Sequence, residues 1–258
     1  MNALEAAVRR AVEDGRPALA AYLVGGYPDL PAFGGALEAV SRVADVVEIG
    51  VPFSDPMADG VTIQRASRIA LERGVTLRSI LEHLRRLGTG PRAPLALMSY
   101  LNPLLALGLE TVAREARDCG VSGFLVPDLP LEESAPFEEM LAREGLALVQ
   151  FVSPVTPADR LATLCRRSRG FVYAVTRTGV TGGRSPAERS GLDYLARVRA
   201  ASPIPVLAGF GIRERAQVEA LRPHVDGVVV GSALVECIEG GGDPEAFLRG
   251  LLPEGRAR

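Results

Sequence analysis

Three carboxylates frame the chemistry available to this chain. Glu48 lies inside the apolar run Val46-Val47-Glu48-Ile49-Gly50, and Asp55 and Asp59 follow in the Pro/Gly-rich loop 51–60. A carboxylate near the end of a buried strand is costly, because desolvation disfavours its charged form. Such a group is suited to proton transfer near neutral pH. The competing reading, a structural carboxylate paired with a buried Arg or Lys, lacks a partner, since the apolar runs hold almost no basic residues. Asp55 and Asp59, taken singly, read first as turn or capping residues. The loop has neither the alternating ligands nor the terminal Glu of a calcium site, and no metal is expected. Histidine offers little. His83 belongs to a helix with a charged face and is expected to be solvated, while His224 precedes the last apolar run.

A second constellation is built from glycine. Gly179-Val180-Thr181-Gly182-Gly183, Gly209-Phe210-Gly211 and Gly231-Ser232 each follow one of the last three apolar runs. Backbone amides approach a phosphate closely where side chains are absent. Ser232-Ala233-Leu234-Val235 reads as a short helix whose amino end would face an anion. One such loop would be an ordinary turn; three in succession point to a small phosphate ester. Gly209-Phe210-Gly211 lacks the third glycine of a dinucleotide fingerprint, and no GxxxxGK[ST] occurs. The long segment Arg177–Gly191 suits a lid, with a plain surface loop as the alternative.

These groups need a frame. Apolar runs at Ala18–Val24, Asp45–Gly50, Pro94–Met98, Gly123–Val126, Ala147–Val152, Gly170–Val175, Pro205–Ala208 and Gly227–Val230 alternate with helical segments. Those segments are Leu30–Val43, Leu77–Leu87, Leu109–Cys119, Ala135–Glu144, Pro157–Arg167, Leu192–Ala200, Arg213–Leu221 and Pro244–Leu251. Eight strand–helix repeats predict an α/β fold, a (β/α)8 TIM barrel, over an open doubly wound sheet. An extra amphipathic helix precedes it at the N-terminus, and residues 1–258 are expected to form a single domain. Period-two alternation puts Val47 and Ile49 on one face and Glu48 on the other, toward the barrel mouth. Inward positions near the strand ends offer Tyr22, Met98, Tyr100 and Leu125, then Tyr173, Phe210 and Val229, a lining for a flat apolar group, with core packing an equal alternative for Leu125 and Val229.

Composition narrows the setting. A net charge of −2 disfavours a nucleic-acid partner. Cys119, Cys165 and Cys237 are dispersed, as expected of structural thiols in a reduced cytoplasmic protein. No apolar run reaches the roughly 18 residues of a membrane span.

The motif Glu48-Ile-Gly-Val-Pro-Phe-Ser-Asp-Pro-Met-Ala-Asp59-Gly, followed by Thr62-Ile63-Gln64, closely resembles that of the tryptophan synthase alpha subunit family. So do Met98-Ser-Tyr100-Leu-Asn102-Pro103, Val126-Pro-Asp128-Leu-Pro130, Tyr173 through Gly182, Gly209-Phe-Gly211-Ile and Gly231-Ser232. The similarity runs in order along essentially the whole chain. It implies a lyase that cleaves indole-3-glycerol phosphate to indole and glyceraldehyde 3-phosphate. Glu48 is then the acid–base, Asp59 its partner, and Tyr173 lies beside the reacting centre. Tyr22, Tyr100 and Phe210 contact substrate, Thr181 closes over Asp59, and Gly182, Gly211, Gly231 and Ser232 hold phosphate. Asp55, Pro56, Asn102 and Pro130 match positions facing a beta subunit in an α2β2 complex. Pyridoxal phosphate is expected only in that partner, and no cofactor here. A stand-alone lyase and a non-catalytic paralogue that activates a beta partner remain alternatives. Two departures stand out: Val61 where a proline often follows Asp-Gly, expected to loosen the loop, and Tyr27 in place of an acidic residue.

Overall fold

The computed structural model describes residues 1–87, 93–176, 186–209 and 211–252, with side chains from residue 190 onward in the third stretch. Eight strands pair in sequence order: β1 (Ala18–Val24), β2 (Val46–Gly50), β3 (Leu95–Met98), β4 (Val121–Leu125), β5 (Ala147–Val152), β6 (Val172–Val175), β7 (Val206–Gly209) and β8 (Gly227–Val230). All pairings are parallel and β8 closes onto β1, giving the expected barrel. The helices between them are α2 (Leu30–Ser41), α3 (Val61–Glu72), α4 (Leu77–Arg86), α5 (Leu101–Leu107), α6 (Leu109–Asp118), α7 (Ala135–Arg143) and α8 (Ala158–Arg167). After β6 come α9 (Pro186–Ala201), α10 (Arg215–Leu221), α11 (Ser232–Glu239) and α12 (Pro244–Leu251). No described helix is long and apolar enough to cross a membrane.

The sheet separates two apolar layers. Val47 and Ile49 of β2 pack outward against the helices, within a core that includes Phe33, Leu37, Ile80 and Leu81. Val46 points inward, joining Ala20, Ala96, Leu125, Val149 and Leu207 inside the barrel. The alternation expected for β2 is therefore present, and it carries Glu48 to the inside. Tyr22 stands in register beside it on β1, and Ala96 on β3.

The amino-terminal end of the barrel is sealed by α1 (Ala3–Glu13), whose Leu4, Val8 and Ala11 are buried in the interior layer. Asn2 caps the helix by accepting from the Leu4 amide at 2.9 Å. Its own side-chain amide donates to the Ser122 and Gly145 carbonyls at 2.9 and 3.1 Å, tying the helix to the barrel floor. Leu4 sits so close to Gly123 that a β-carbon there would lie 2.8 Å from its Cδ1.

Three features depart from expectation. α3 and α5 are additional helices. α3 buries Thr62, Ile63, Ala66, Ser67 and Ala70, a face too small and polar to register as apolar periodicity. α5 carries Pro103 in its first turn, where a proline is tolerated though it reads as a break. His83 is not solvated: it is half-buried, its ring lies 5.9 Å from that of Phe33, and its Nε2 is sealed without a partner among the described residues. The room comes from Gly34 on α2, where a β-carbon would lie 2.8 Å from Nε2. Burial accordingly lowers the His83 pKa, with Arg86 acting in the same direction.

If α1 is a structural plug, Leu4→Ala should cost about 2–4 kcal/mol through lost burial and the cavity left behind. Urea unfolding checks this, and an unchanged midpoint would mean that the barrel floor stands without the helix.

Candidate active site

Glu48 is 0% exposed, and neither carboxyl oxygen has a hydrogen-bond partner among the described residues. Desolvation alone pushes its pKa from 4.5 to about 8. No buried cation among the described residues neutralises it, so the protonated acid is the favoured form at neutral pH.

Two phenols pack around this acid. Tyr22 on β1 and Tyr173 on β6 are both almost fully buried, and both are held far above the ordinary tyrosine pKa by burial. Tyr22 also feels the negative charge of Asp59 and Glu48, and Tyr173 that of Glu48, so the four groups share one region. Glycines make the arrangement possible. A β-carbon at Gly50, ending β2, would collide with the Tyr22 hydroxyl, and one at Gly209, ending β7, would collide with that of Tyr173. The Tyr173 ring is further braced by Phe151, with centroids 4.9 Å apart.

Asp59 sits in the loop after β2 and is half-buried. Burial raises its pKa from 3.8, while the neighbouring Tyr100 hydroxyl pulls it back down. That hydroxyl also accepts from the Ala58 amide at 2.8 Å, and the Tyr100 ring stacks on Phe53 with centroids 5.1 Å apart. Gln64 donates to the Asp59 carbonyl at 2.8 Å. Tyr100, expected at the substrate wall, also fixes the loop that presents Asp59, with its ring stacked on Phe53. Val61 does not prevent α3 from starting directly after Gly60, although that end has no side-chain cap.

A cavity of about 500 Å³ opens at the carboxyl ends of the strands, with Tyr22, Met98, Tyr173 and Val229 on one wall and Gly211, Gly231 and Ser232 on another. Its described lining contains neither Glu48 nor Asp59, which lie behind the tyrosines and in the loop ending at Gly60. Of the two readings open for Leu125, wall or core, the structure shows the second, packed into the barrel interior. Gly211 adopts φ +84°, a left-handed backbone that a side chain would strain. At α11, Leu234 and Val235 close back on the Gly231 carbonyl at 2.9 and 3.1 Å. The preceding amides of Ser232 and Ala233 have no intrahelical acceptor and face the cavity end. Thr181, Gly182 and Phe210 lie outside the described residues, as does most of the expected lid.

The four expected docking residues fall on consecutive loops. Asp55 and Pro56 follow β2, Asn102 lies on α5 after β3, and Pro130 follows β4; all but the half-buried Pro56 are exposed. Exposed apolar side chains gather there too: Met57 is 87% exposed after β2, Leu105 is on α5, and Val155 is 83% exposed after β5. Sequence reasoning missed Ile63, Thr176 and Arg213, which also line the cavity. Only Arg213 had a local signal, following directly on Gly209-Phe210-Gly211-Ile212.

A family model described as tryptophan synthase alpha chain matches residues 8–249. The chain belongs to the tryptophan synthase alpha chain family. It is 44% identical to the tryptophan synthase alpha chain of Desulfovibrio desulfuricans, over 96% of this chain and 98% of the relative. It is 45% identical to that of Geobacter sulfurreducens over 87% and 85%. Among solved structures, tryptophan synthase from Mycobacterium tuberculosis superposes with a TM-score of 0.88 at 37% identity, covering 97% and 96% of the two chains. The alpha subunit from Legionella pneumophila gives 0.86 at 29% identity, covering 97% of each.

The raised pKa of Glu48 has a consequence for stability in this alpha-chain barrel. Between pH about 4.5 and about 8 the folded chain holds a proton on Glu48 that the unfolded chain has lost. The associated stability is complete below pH 4.5 and is lost as pH rises to about 8. Glu48→Gln keeps the shape and removes the titration. The variant should therefore be more stable than wild type at pH 9, by on the order of a few kcal/mol, with the gap closing toward pH 5. Thermal scans across that range decide it; a pH-independent gap would show that Glu48 is not held as a neutral acid.

Proposed function

We propose that this chain cleaves indole-3-glycerol phosphate by a retro-aldol step in which Glu48 and Asp59 divide the proton work. Members of the family are lyases with indole-3-glycerol phosphate aldolase activity in tryptophan biosynthesis, and this chain is one of them. The observation that carries the residue assignment is Glu48 itself, a buried carboxyl with no partner among the described residues and a pKa raised to about 8.

The reaction balances on that group alone. Protonated Glu48 donates to C3 of the indole, which turns the ring nitrogen into an electron sink. The resulting carboxylate takes the proton of the hydroxyl on the adjoining carbon. As that oxygen becomes the aldehyde of glyceraldehyde 3-phosphate, the carbon–carbon bond breaks and its electrons restore the indole. Glu48 ends protonated, as it began. Ionised Asp59 accepts the indole N–H and stabilises the developing positive charge, the division expected of two carboxylates in different environments. Tyr22 and Tyr173 flank the reacting centre. Tyr100 holds the Asp59 loop and remains within reach of substrate. Gly182, Gly211, Gly231 and Ser232 grip the phosphate, which supplies positioning rather than chemistry, while Phe210 contacts substrate and Thr181 closes over Asp59. The ring is its own electron sink, so the step asks for no metal or cofactor.

Residues 1–258 act as one domain in this reading, in the cytoplasm, docked on a pyridoxal-phosphate beta subunit as half of an α2β2 complex. Asp55, Pro56, Asn102 and Pro130, together with exposed Met57, Leu105 and Val155, support that docking face.

The purified chain should release indole from indole-3-glycerol phosphate, faster when a beta subunit is added. Glu48→Gln and Asp59→Asn should each lower turnover roughly 100-fold or more while ligand still binds. Turnover near wild type in either variant removes that residue from the mechanism. The pH profile of kcat/KM should be bell-shaped, falling above about 8 as Glu48 loses its proton, and falling on the acid side at a value above 3.8 as Asp59 gains one. A basic limb that persists unchanged in Glu48→Gln would assign it to another group.

A further inference from the structure

The phosphate end of the cavity presents an imbalance of charge. A phosphate monoester carries close to two negative charges at neutral pH. What faces it from Gly211, Gly231, Ser232 and the start of α11 is backbone amide, one hydroxyl and a helix terminus equivalent to about half a positive charge. One charged side chain is present among the described residues that line this cavity, and it is Arg213.

Arg213 is held at both ends. Its backbone amide donates to Gln217 Oε1 at 2.6 Å, and the same Gln217 donates to the Gly211 carbonyl at 3.1 Å. The loop bearing Gly211 and the start of Arg213 is thus a single braced unit. At the other end the guanidinium lies on Glu236 of α11, Nη1 to Oε2 at 2.6 Å and Nη2 to Oε1 at 2.9 Å. Glu236 comes four residues after Ser232, on the same face of α11 and about one helical turn away. The guanidinium is therefore held by a residue about one turn, roughly 6 Å of helix rise, from the amides that would receive the phosphate.

Glu236 is itself anchored. Thr62 Oγ1, in the first turn of α3, donates to Glu236 Oε1 at 2.9 Å. The acid is thus not left bare when the arginine shifts. Arg65, the neighbouring cation on α3, is committed to Glu239 through two hydrogen bonds and does not compete. The Arg213 side chain is 54% exposed, so its ion pair is a surface one and costs little to loosen. A guanidinium has five donors, so two on Glu236 leave others for a phosphate oxygen.

We propose that Arg213 is a positioning and specificity-determining residue for the phosphate: Glu236 parks its guanidinium one turn below the amino end of α11, and the bound phosphate ester draws a charge-assisted contact from it. This rests on the reading that the cavity takes a phosphate ester. It adds a selection rule, since a phosphorylated indole glycerol is favoured over the uncharged alcohol by a side chain and not by backbone alone.

The test compares Arg213→Gln, Arg213→Lys and Glu236→Gln in the full chain, with calorimetric titration of inorganic phosphate and steady-state kinetics on indole-3-glycerol phosphate. Arg213→Gln should weaken inorganic phosphate about tenfold and raise KM alike, with kcat little changed. Arg213→Lys should recover most of the loss. Glu236→Gln should bind phosphate at least as tightly as wild type, because it frees the arginine and removes a nearby negative charge. That difference in sign separates a ligand from a structural ion pair. Unchanged phosphate binding in Arg213→Gln, or an equal loss in Glu236→Gln, would overturn the proposal, as would a wild-type chain that binds no phosphate. A wild-type chain that binds phosphate yet releases no indole would instead sink the reaction assigned above and leave the Arg213 comparison readable.

Discussion

Neutralising one carboxyl by burial, without giving it a partner, is the constraint around which this barrel is arranged. A buried Glu could be made harmless by a neighbouring Arg, but the pair would then hold the carboxylate ionised and useless as an acid. The interior layer avoids this by surrounding Glu48 with Ala96 beside it on β3 and phenols on β1 and β6. Water is shut out from below by α1, whose Leu4, Val8 and Ala11 fill the barrel floor. The result is a group near 8 that would be near 4.5 in solvent. Such a site costs stability at high pH, the trade expected of Glu48 in its proposed acid–base role.

Space at the mouth is set by two glycines. Gly50 and Gly209 end β2 and β7, and each leaves the volume into which a tyrosine hydroxyl projects. The two rings cover the acid without sealing the cavity, whose wall they also form. Asp59 is supplied separately, from a loop. Tyr100 pins that loop through the Ala58 amide, so the second carboxylate stays half-wet while the first stays dry. Two carboxylates in different environments thus come from two kinds of structure, a strand interior and a pinned turn.

The strands were legible in the sequence because each is a short apolar run bounded by polar or turn residues; β1, β5 and β8 match their runs residue for residue. Glu48 was legible for the same reason, as a charge where period two demands an inward side chain. Glycine in the loops after the strands was legible, but not the space that Gly50 and Gly209 leave for tyrosine hydroxyls, which depends on register between strands far apart in sequence. α3 escaped notice because its buried face is Thr, Ser and Ala, and α5 because Pro103 reads as a break although it sits in a first turn. His83 looked solvated because its helix is rich in charge; only the absence of a side chain at Gly34 on α2 admits the ring. The hold of Tyr100 on the Asp59 loop was not legible, because its stacking on Phe53 depends on a loop conformation that no periodicity encodes.

The two ends of the site are also mechanically joined. α3 begins directly after the Asp59-Gly60 turn, and its first-turn Thr62 holds Glu236 of α11, the helix whose amino end meets the cavity. A second clasp, Arg65 to Glu239, lies one turn further along both helices. Exposed ion pairs of this kind contribute little to stability. Under the proposed function their geometry has another use, because a substrate spanning the cavity would require α3 and α11 to keep a fixed separation. A misplacement of about 1 Å between a gripped tail and a reacting carbon can cost 100-fold in rate. Side-chain clasps one turn behind each end restrain that separation without placing any further group in the cavity itself.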